Sequence, residues 1–351
     1  MSSATEDRRT RILRAVENLG SVRLVDLGQH LGVPVVTLRR DVAALAEAGL
    51  VHRAHGSVSA VAAGGGAPGG PTIGLVVPTV HQYFGEVIAG ARTAATDAGA
   101  TLVLSISSYE AGADRAQADR LLESGAEGLL MTPTWMPGGN SDGRAWIAEL
   151  PVPVVLVERR AAAGTPASRL DSVYSDHHVG VLLALQHLVA RGHAAVALAA
   201  RTDTWTAQRV RSGYAEGCAL LGLPARPVID LPGTPAGSGA VVEQVAAAVD
   251  GGTRALLVHN DQDAIQLLPL LRARGLTVPE DLAVISYDDV FAALGAPPLT
   301  AVAPPKQAVG RAAVEVLLRR LRSGSALPVH HLGLLPELKV RSTCGAHPGR
   351  T

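Results

Sequence analysis

Cysteine is almost missing from this chain: two residues, Cys218 and Cys344, in 351. Two thiols so far apart in sequence exclude a disulfide framework and a cysteine-rich zinc site, and they suit a reducing compartment. Net charge is missing as well, with 31 Lys+Arg against 31 Asp+Glu. Any contact with nucleic acid must therefore come from a local patch. No uninterrupted apolar run reaches the ~18 residues that read as a membrane span; the richest stretch, PVPVVLVERR, is short and ends in charge. The N-terminal MSSATEDRRTRIL is charged where a secretory signal carries an apolar core. Together these absences read as a soluble, cytoplasmic protein with no membrane partner. Apolar residues make up 47% of the chain and charged residues 18%, so a large core is expected and general disorder is excluded. The length favours two or three domains.

Residues 58–72 read VSAVAAGGGAPGGPT, without charge or amphipathic period. Such a run cannot bury enough surface to order itself and is expected to be a flexible linker. The boundaries that follow are a small module over 5–60, a linker over 61–71 and a large module over 72–345. Residues 1–60 hold eight arginines against six acidic residues, a net of +2, which leaves −2 for the remainder. The sign is the one a DNA-contacting module requires.

After the linker, short apolar runs alternate with helical patterns. IGLVVPT (73–79) precedes FGEVIAGARTAATDAGA, TLVLSIS (101–107) precedes DRAQADRLLESGA, and EGLLMTP and PVPVVLVER follow. The alternation resumes with VGVLLALQHLVARG, AAVALAA, RVRSGYAEGCALLG, RPVIDL, VVEQVAAAVDGG, RALLVHN, DAIQLLPLLRARG and LAVISYDD, and a helix near 306–322 closes it. This pattern means βαβ units and parallel sheets. There are too many strands for one small sheet, so the expected class is α/β with two doubly wound lobes.

In the first sixty residues, 9–20, 21–32 and 34–49 each read as a short amphipathic helix stopped by glycine. The tight Leu-Gly-Val turn makes a helix-turn-helix. The early part of the third helix carries Val35, Thr37, Arg39 and Arg40, side chains suited to base edges and phosphates. GLVHRAHGSVSAV then reads as a two-stranded wing with Arg53 and His55 at its basic tip. Asp41 is expected to orient Arg40 or Arg39, or to cap locally, and not to read a base. The alternative for the whole segment is a helical protein-interaction module with a solvated arginine face.

The run LGVPVVTLRRDVAALAEAGLVHRAHGSV resembles the DeoR-type winged helix-turn-helix, with Pro34 and Ser57 departing from the usual Ser and Gly. The resemblance implies a double-stranded DNA operator as partner.

A two-lobed α/β protein binds its ligand at the carboxyl ends of its strands. Those ends offer His81, Tyr83 and Phe84; Glu158 and Arg159; Arg209 and Arg211; Asn260-Asp261; and Asp288-Asp289. An adjacent Tyr-Phe is conspicuous among only 3 Trp, 5 Tyr and 2 Phe; one ring of the pair is expected to plug the helix against the sheet. Polar groups converging from several strands suit a polyhydroxylated ligand.

SDHHVGVLLALQHLVARGHAAVALAA, HNDQDAIQLLPLLRARGLTVPEDLAVISYDD and PPLTAVAPPKQAVGRAAVEVLLRRL resemble the effector domain of the LacI/GalR regulators over roughly 72–345. That resemblance implies the periplasmic-binding-protein type 1 fold, a homodimer and a small effector, a sugar, held between the two lobes. It assigns effector contacts to the aromatic pair with His81, to Glu158 and Arg159, to Asn260 and to Asp288, while Asp261 and Asp289 hold local backbone. The family's effector arginine falls at Val210, so Arg209 and Arg211 both stand as candidates. The implied function is an effector-controlled, sequence-specific DNA-binding regulator, read as a repressor. The alternative is a solute-binding protein, which has no use for residues 9–60. No phosphate loop, nucleophile elbow or metal-spaced cluster stands out, so no enzyme activity, cofactor or metal is implied.

Overall fold

The computed structural model describes residues 8–9, 11–16, 21–47, 50–54, 57–60, 70–80, 83–109, 112–135, 142–232 and 238–345. The chain divides into two units. Residues 1–134, 140–174 and 306–333 make the first, and 135–139, 175–305 and 334–351 the second.

The first unit begins with helical residues 11–16 (α1), strand β1 (Ser21–Arg23), helices α2 (Leu24–Leu31) and α3 (Val35–Glu47), and strands β2 (Val51–Ala54) and β3 (Ser57–Ala60). Ile12, Val16, Leu27, Leu38 and Val42 are fully buried and form the core between the helices. Gly32 stops α2 at φ 65° and returns its amide to Gln29 O, which makes the tight turn that glycine allows. Residues 21–23, expected as the first turn of a helix, are instead a strand. They pair antiparallel with β3 in the register Val22↔Val58, which buries the β-branched Val22 completely. The wing is therefore three-stranded.

The rest of this unit is β4 (Thr72–Val77), α4 (Tyr83–Asp97), β5 (Thr101–Ile106), α5 (Ala113–Glu123), β6 (Gly128–Met131), β7 (Val154–Val157) and β8 (Asp171–Ser175). The parallel strands run β5-β4-β6-β7-β8, an order that reverses direction between β4 and β6. The same sheet continues past β5 into the wing, as β5-β1-β3-β2, through the parallel pair Val22↔Leu104. Gly74 faces Leu121 of α5, while Gly128, in the adjacent register pair, faces Leu317. Helices thus cover both faces, which is why the strands read as unbroken apolar runs. Leu317 belongs to the helix Lys306–Ser323, which crosses α4 at a glycine pair. A Cβ on Gly90 would lie 2.0 Å from Gln307 O, and one on Gly310 2.0 Å from Val87 O.

The second unit holds α6 (His177–Ala190), β9 (Ala197–Ala200), α7 (Trp205–Leu221), β10 (Ile229–Asp230), α8 (Ser238–Asp250), β11 (Ala255–His259), α9 (Asp261–Ala273), β12 (Ala283–Tyr287) and β13 (Thr300–Ala303). Helix α10 (Lys306–Ser323) then returns to the first unit, followed by edge strands β14 (His331–Leu334) and β15 (Glu337–Lys339). The parallel order β10-β9-β11-β12-β13 repeats that of the first unit. Leu256 and Val258 pack with α8 and α9, whereas Ala255 and Leu257 pack with α6 and α7. This is the alternation of a sheet buried on both sides. Among the described residues no helix is long and apolar enough to cross a membrane.

Candidate DNA interface and effector site

The exposed face of α3 is set by what its other face buries. Leu38, Asp41, Val42 and Leu45 point inward, leaving Val36, Arg39 and Arg40 exposed and Thr37 half-buried. Val35 is half-buried, with Cγ2 3.4 Å from the Cβ position of Gly28, so it helps set α3 against α2. Its neighbour Val36 is 73% exposed. A β-branched residue so exposed early in this helix is suited to a thymine methyl. Arg53 lies in β2, while His55 lies outside the described residues.

Asp41 does not orient Arg39 or Arg40. Its carboxylate accepts from Arg8 Nε at 2.6 Å and Arg9 Nε at 3.3 Å. Burial works to raise this carboxyl, but the two arginines outweigh it and hold it below the usual range.

In the first unit, polar groups gather where β4 to β7 end. Tyr83, the first residue of α4, donates its hydroxyl to Glu158 Oε1 at 2.7 Å, and its ring lies 5.6 Å from Lys306 Nζ. Phe84 meets Tyr83 edge-on at 5.5 Å and is itself buried, so Phe84 is the plug and Tyr83 the polar member of the pair. Arg159 donates to Pro133 O and Glu158 O, both at 2.8 Å. Burial lowers its guanidinium from the ordinary value, against the pull of Glu158 and other neighbours. His81 lies outside the described residues.

Three groups that the sequence reading passed over complete this end. Ser107 follows β5, Thr132 follows β6, and Asp114 lies in the first turn of α5. Asp114 Oδ2 accepts from Thr134 N and Oγ1 at 2.8 and 2.6 Å. Its Oδ1, with Ser107 Oγ and Thr132 Oγ1, is buried without a hydrogen-bond partner. Neutral hydroxyls carry no charge signal in a sequence, which is why Ser107 and Thr132 escaped notice.

In the second unit, the corresponding end holds Arg201, Asp203, Trp205, Arg209, His259, Asn260, Asp263 and Asp288. Arg201 and Asp203 form a bidentate pair at 2.9 and 2.8 Å. Arg211 is committed to Arg201 O, Ala200 O and Asp230 Oδ1. The Arg209 guanidinium lies 5.5 Å above the Trp205 ring, and its Nε is buried without a partner. Burial pushes His259 down to about 4. The ring is therefore neutral at pH 7, and both of its nitrogens lack partners. Asn260 caps α9 by accepting from Asp263 N at 3.2 Å, and Asp263 Oδ2 is buried without a partner.

Asp261 accepts from the amides of Val290, Phe291 and Ala292 at 2.6, 2.6 and 3.1 Å, and Asp289 pairs with Arg341 at 2.7 Å. Both hold local structure. Five non-glycine residues among those described have left-handed φ: Ser108, Tyr109, Glu158, Asp288 and Asp289. All follow the carboxyl ends of β5, β7 or β12. Each costs on the order of 1–3 kcal/mol, and such strain collects at ligand sites. No group of three or more metal-ligating side chains lies together among the described residues.

Known proteins agree with these two halves. Residues 8–63 match the DeoR-like helix-turn-helix domain, and residues 185–344 match the periplasmic binding protein-like domain. The HTH-type transcriptional repressor PurR of Vibrio parahaemolyticus is 28% identical over 281 residues, covering 78% of this chain and 80% of its own. A LacI family transcriptional regulator from Mycobacterium smegmatis superposes with a TM-score of 0.63 at 27% identity, over 78% of this chain and 99% of its own.

The chain therefore pairs a DeoR-like helix-turn-helix domain with a periplasmic binding protein-like domain, and it is similar to transcriptional regulators of the LacI family. A further LacI family regulator, from Enterococcus faecium and with bound ribose, shares the fold of this regulator at a TM-score of 0.63 and 20% identity, over 78% of this chain and 99% of its own. The regulator accordingly joins a DNA-binding module to an effector-controlled one.

Proposed function

We propose that this regulator represses transcription as a homodimer on a two-half-site operator, and that a sugar held at the carboxyl ends of its sheets alters operator affinity. The observation that carries the sugar reading is the set of buried polar atoms without partners at those ends: Ser107 Oγ, Thr132 Oγ1, Asp114 Oδ1, both His259 nitrogens and Asp263 Oδ2. Buried polar groups are nearly always satisfied. Neutral hydroxyls, a neutral imidazole and two carboxylates are the partners that ligand hydroxyls need. Both parallel sheets reverse their strand order at these ends, between β4 and β6 and between β9 and β11, where open α/β sheets bind ligands. Among the relatives, the Enterococcus faecium regulator holds ribose.

With Arg211 tied to backbone and Asp230, Arg209 is the arginine assigned to the effector. Tyr83, Glu158, Arg159, Asn260 and Asp288 are assigned to it with the orphaned groups. Val36, Thr37, Arg39 and Arg40 are assigned to the major groove, with Arg53 and His55 on flanking phosphates.

The test is fluorescence anisotropy on sites selected from a random DNA pool, with excess nonspecific competitor, at two salt concentrations and with D-ribose and other pentoses. Binding that survives competitor and is shifted by one sugar supports the reading. Binding lost to competitor means charge alone was at work.

A further inference from the structure

Helix α5 touches two places that matter. Its buried stripe is Asp114, Gln117, Ala118 and Leu121, the i, i+3, i+4, i+7 pattern of one helical face. Two of these four are polar, and both lie toward the same end. Asp114 is at the effector end, beside the orphaned Ser107 and Thr132. Gln117, one turn on, reaches the DNA-binding module: its Oε1 accepts from Arg23 Nη1 at 3.0 Å and from Ser105 Oγ at 2.7 Å. Ser105 Oγ lies also 3.2 Å from Asp26 Oδ2 and 3.4 Å from Arg23 Nη1. Arg23 ends β1, Asp26 opens α2, and β1 is paired to β5 at Val22↔Leu104. Ser105, Asp26 and Gln117 are 0%, 0% and 8% exposed.

Inside the helix-turn-helix alone this arrangement has no purpose. Asp26 would face water from the first turn of α2, where a carboxylate is favourable. Here it is fully buried against a serine of another module. Ser105 lies in β5, and Ser107 follows the end of that strand two residues on, so both β5 and α5 run between the strand-end groups and the DNA-binding module.

We propose that Ser105 and Gln117 are positioning residues for DNA binding: they hold β1 and α2 on the effector module so that α3 has a fixed pose, and α5 carries effector occupancy at Asp114 to that hold. This rests on reading residues 8–63 as the DNA-binding module. The exposed face of α3, with Val36, Arg39 and Arg40, stays open in the held state. Holding therefore orders the two reading heads of a dimer instead of hiding them. A ligand hydroxyl that draws on Asp114 shifts the turn of α5 that bears Gln117, and the coupling is reciprocal by linkage.

The experiment has two arms on the full-length protein and on Arg23→Ala, Gln117→Ala and Ser105→Ala. The first arm, without DNA, is amide exchange over residues 21–27. Slow exchange in the wild type that speeds by about 10-fold or more in the variants is expected; wild-type exchange as fast as in the variants overturns the proposal. The second arm measures affinity for selected sites whose half-site spacing is changed by two base pairs, a rotation of roughly 70°. A loss of about 30-fold in the wild type, reduced to roughly 3-fold in the variants with single half-site affinity kept, is expected. Equal spacing penalties in wild type and variants overturn the proposal. A wild type that binds no DNA specifically defeats the functional reading, while the exchange arm still decides the hold. Arg23→Ala, at the rim of the network, guards against a variant of a buried position that merely unfolds.

Discussion

Arg8 and Asp41 meet at 2.6 Å, so α3, the helix proposed to read DNA, is tied to residues 8–9 and not to its own exposed arginines. Replacing Asp41 with Ala leaves Arg8 and Arg9 without this acceptor and loosens residues 8–9 from α3. A loss of stability in the N-terminal module is expected, moderated by solvent screening of the half-buried arginines. Because the Asp41 carboxyl is held below its usual range, this stabilisation is present at neutral pH and is lost as pH falls below about 4. Denaturant melts of wild type and Asp41→Ala at pH 7 and pH 3 check this: the gap between them should be smaller at pH 3.

Val35 and Val36 are predicted to fail in different ways. Val36→Ala should leave the melting temperature unchanged and alter the preferred base at one position per half-site, by about 1 kcal/mol. Val35→Ala should leave the preferred base alone and lower stability, since that side chain packs at Gly28. Sites selected from a random pool by each variant, together with its melt, separate the two effects.

Thr132 carries a buried hydroxyl with no partner. Thr132→Val keeps the shape and removes an unsatisfied group. The variant is expected to be more stable than wild type, by about 1 kcal/mol or roughly 2–4 °C in melting temperature. It should also lose the response of operator binding to the effector. A variant that is less stable, or one that responds fully, counts against the effector assignment.

The network around Asp26 has a preferred protonation state. Ser105 Oγ has one proton and two acceptors, Gln117 Oε1 and Asp26 Oδ2. If Asp26 is protonated at Oδ2, it donates to Ser105 and Ser105 donates to Gln117, while Asp26 Oδ1 stays buried without a partner. Burial raises the Asp26 carboxyl from 3.8 to about 6, against the opposing pull of Arg23, Ser105 and Arg120. A raised carboxyl favours the held state most at low pH, and that advantage, roughly 3 kcal/mol at full extent, disappears as pH rises through about 6. Exchange over residues 21–27, corrected for intrinsic rates, should therefore be slower at pH 5 than at pH 7.5, and Asp26→Asn should flatten the difference.

The parallel core was legible in the sequence because both faces of each sheet are covered, which leaves runs such as RALLVHN and LAVISYDD with no polar interruption. β1 was not legible. Leu24, Leu27 and Leu31 fit a helical face that extends back to Ser21 without contradiction, and only the pairing of Val22 with Val58 and Leu104, residues far along the chain, makes 21–23 a strand. At the sites, Glu158, Arg159, Tyr83 and Asp288 stood out as charged or aromatic residues directly after apolar runs, whereas Asp114, His259 and Asp263, which also carry charge or a ring, were not singled out. Ser107 and Thr132 did not stand out, since their interest lies in being buried without partners, which no pattern of neighbours discloses. Val36 was passed over for Val35 because one residue of helical phase separates inside from outside, and that phase is fixed by the packing of Gly28 and Leu38.

The glycine crossing of α4 and α10 bears on how this protein is made. Gly90 is translated 220 residues before Gly310, and β14 comes later still, so the unit that carries the DNA-binding module closes only after residues 331–334 have left the ribosome. A nascent or prematurely terminated chain that already holds the helix-turn-helix and β5 still lacks α10, the helix against which α4 packs. Interrupted synthesis of this regulator thus yields reading heads without a finished effector module beneath them, and quality control of its messenger becomes part of the fidelity of its repression.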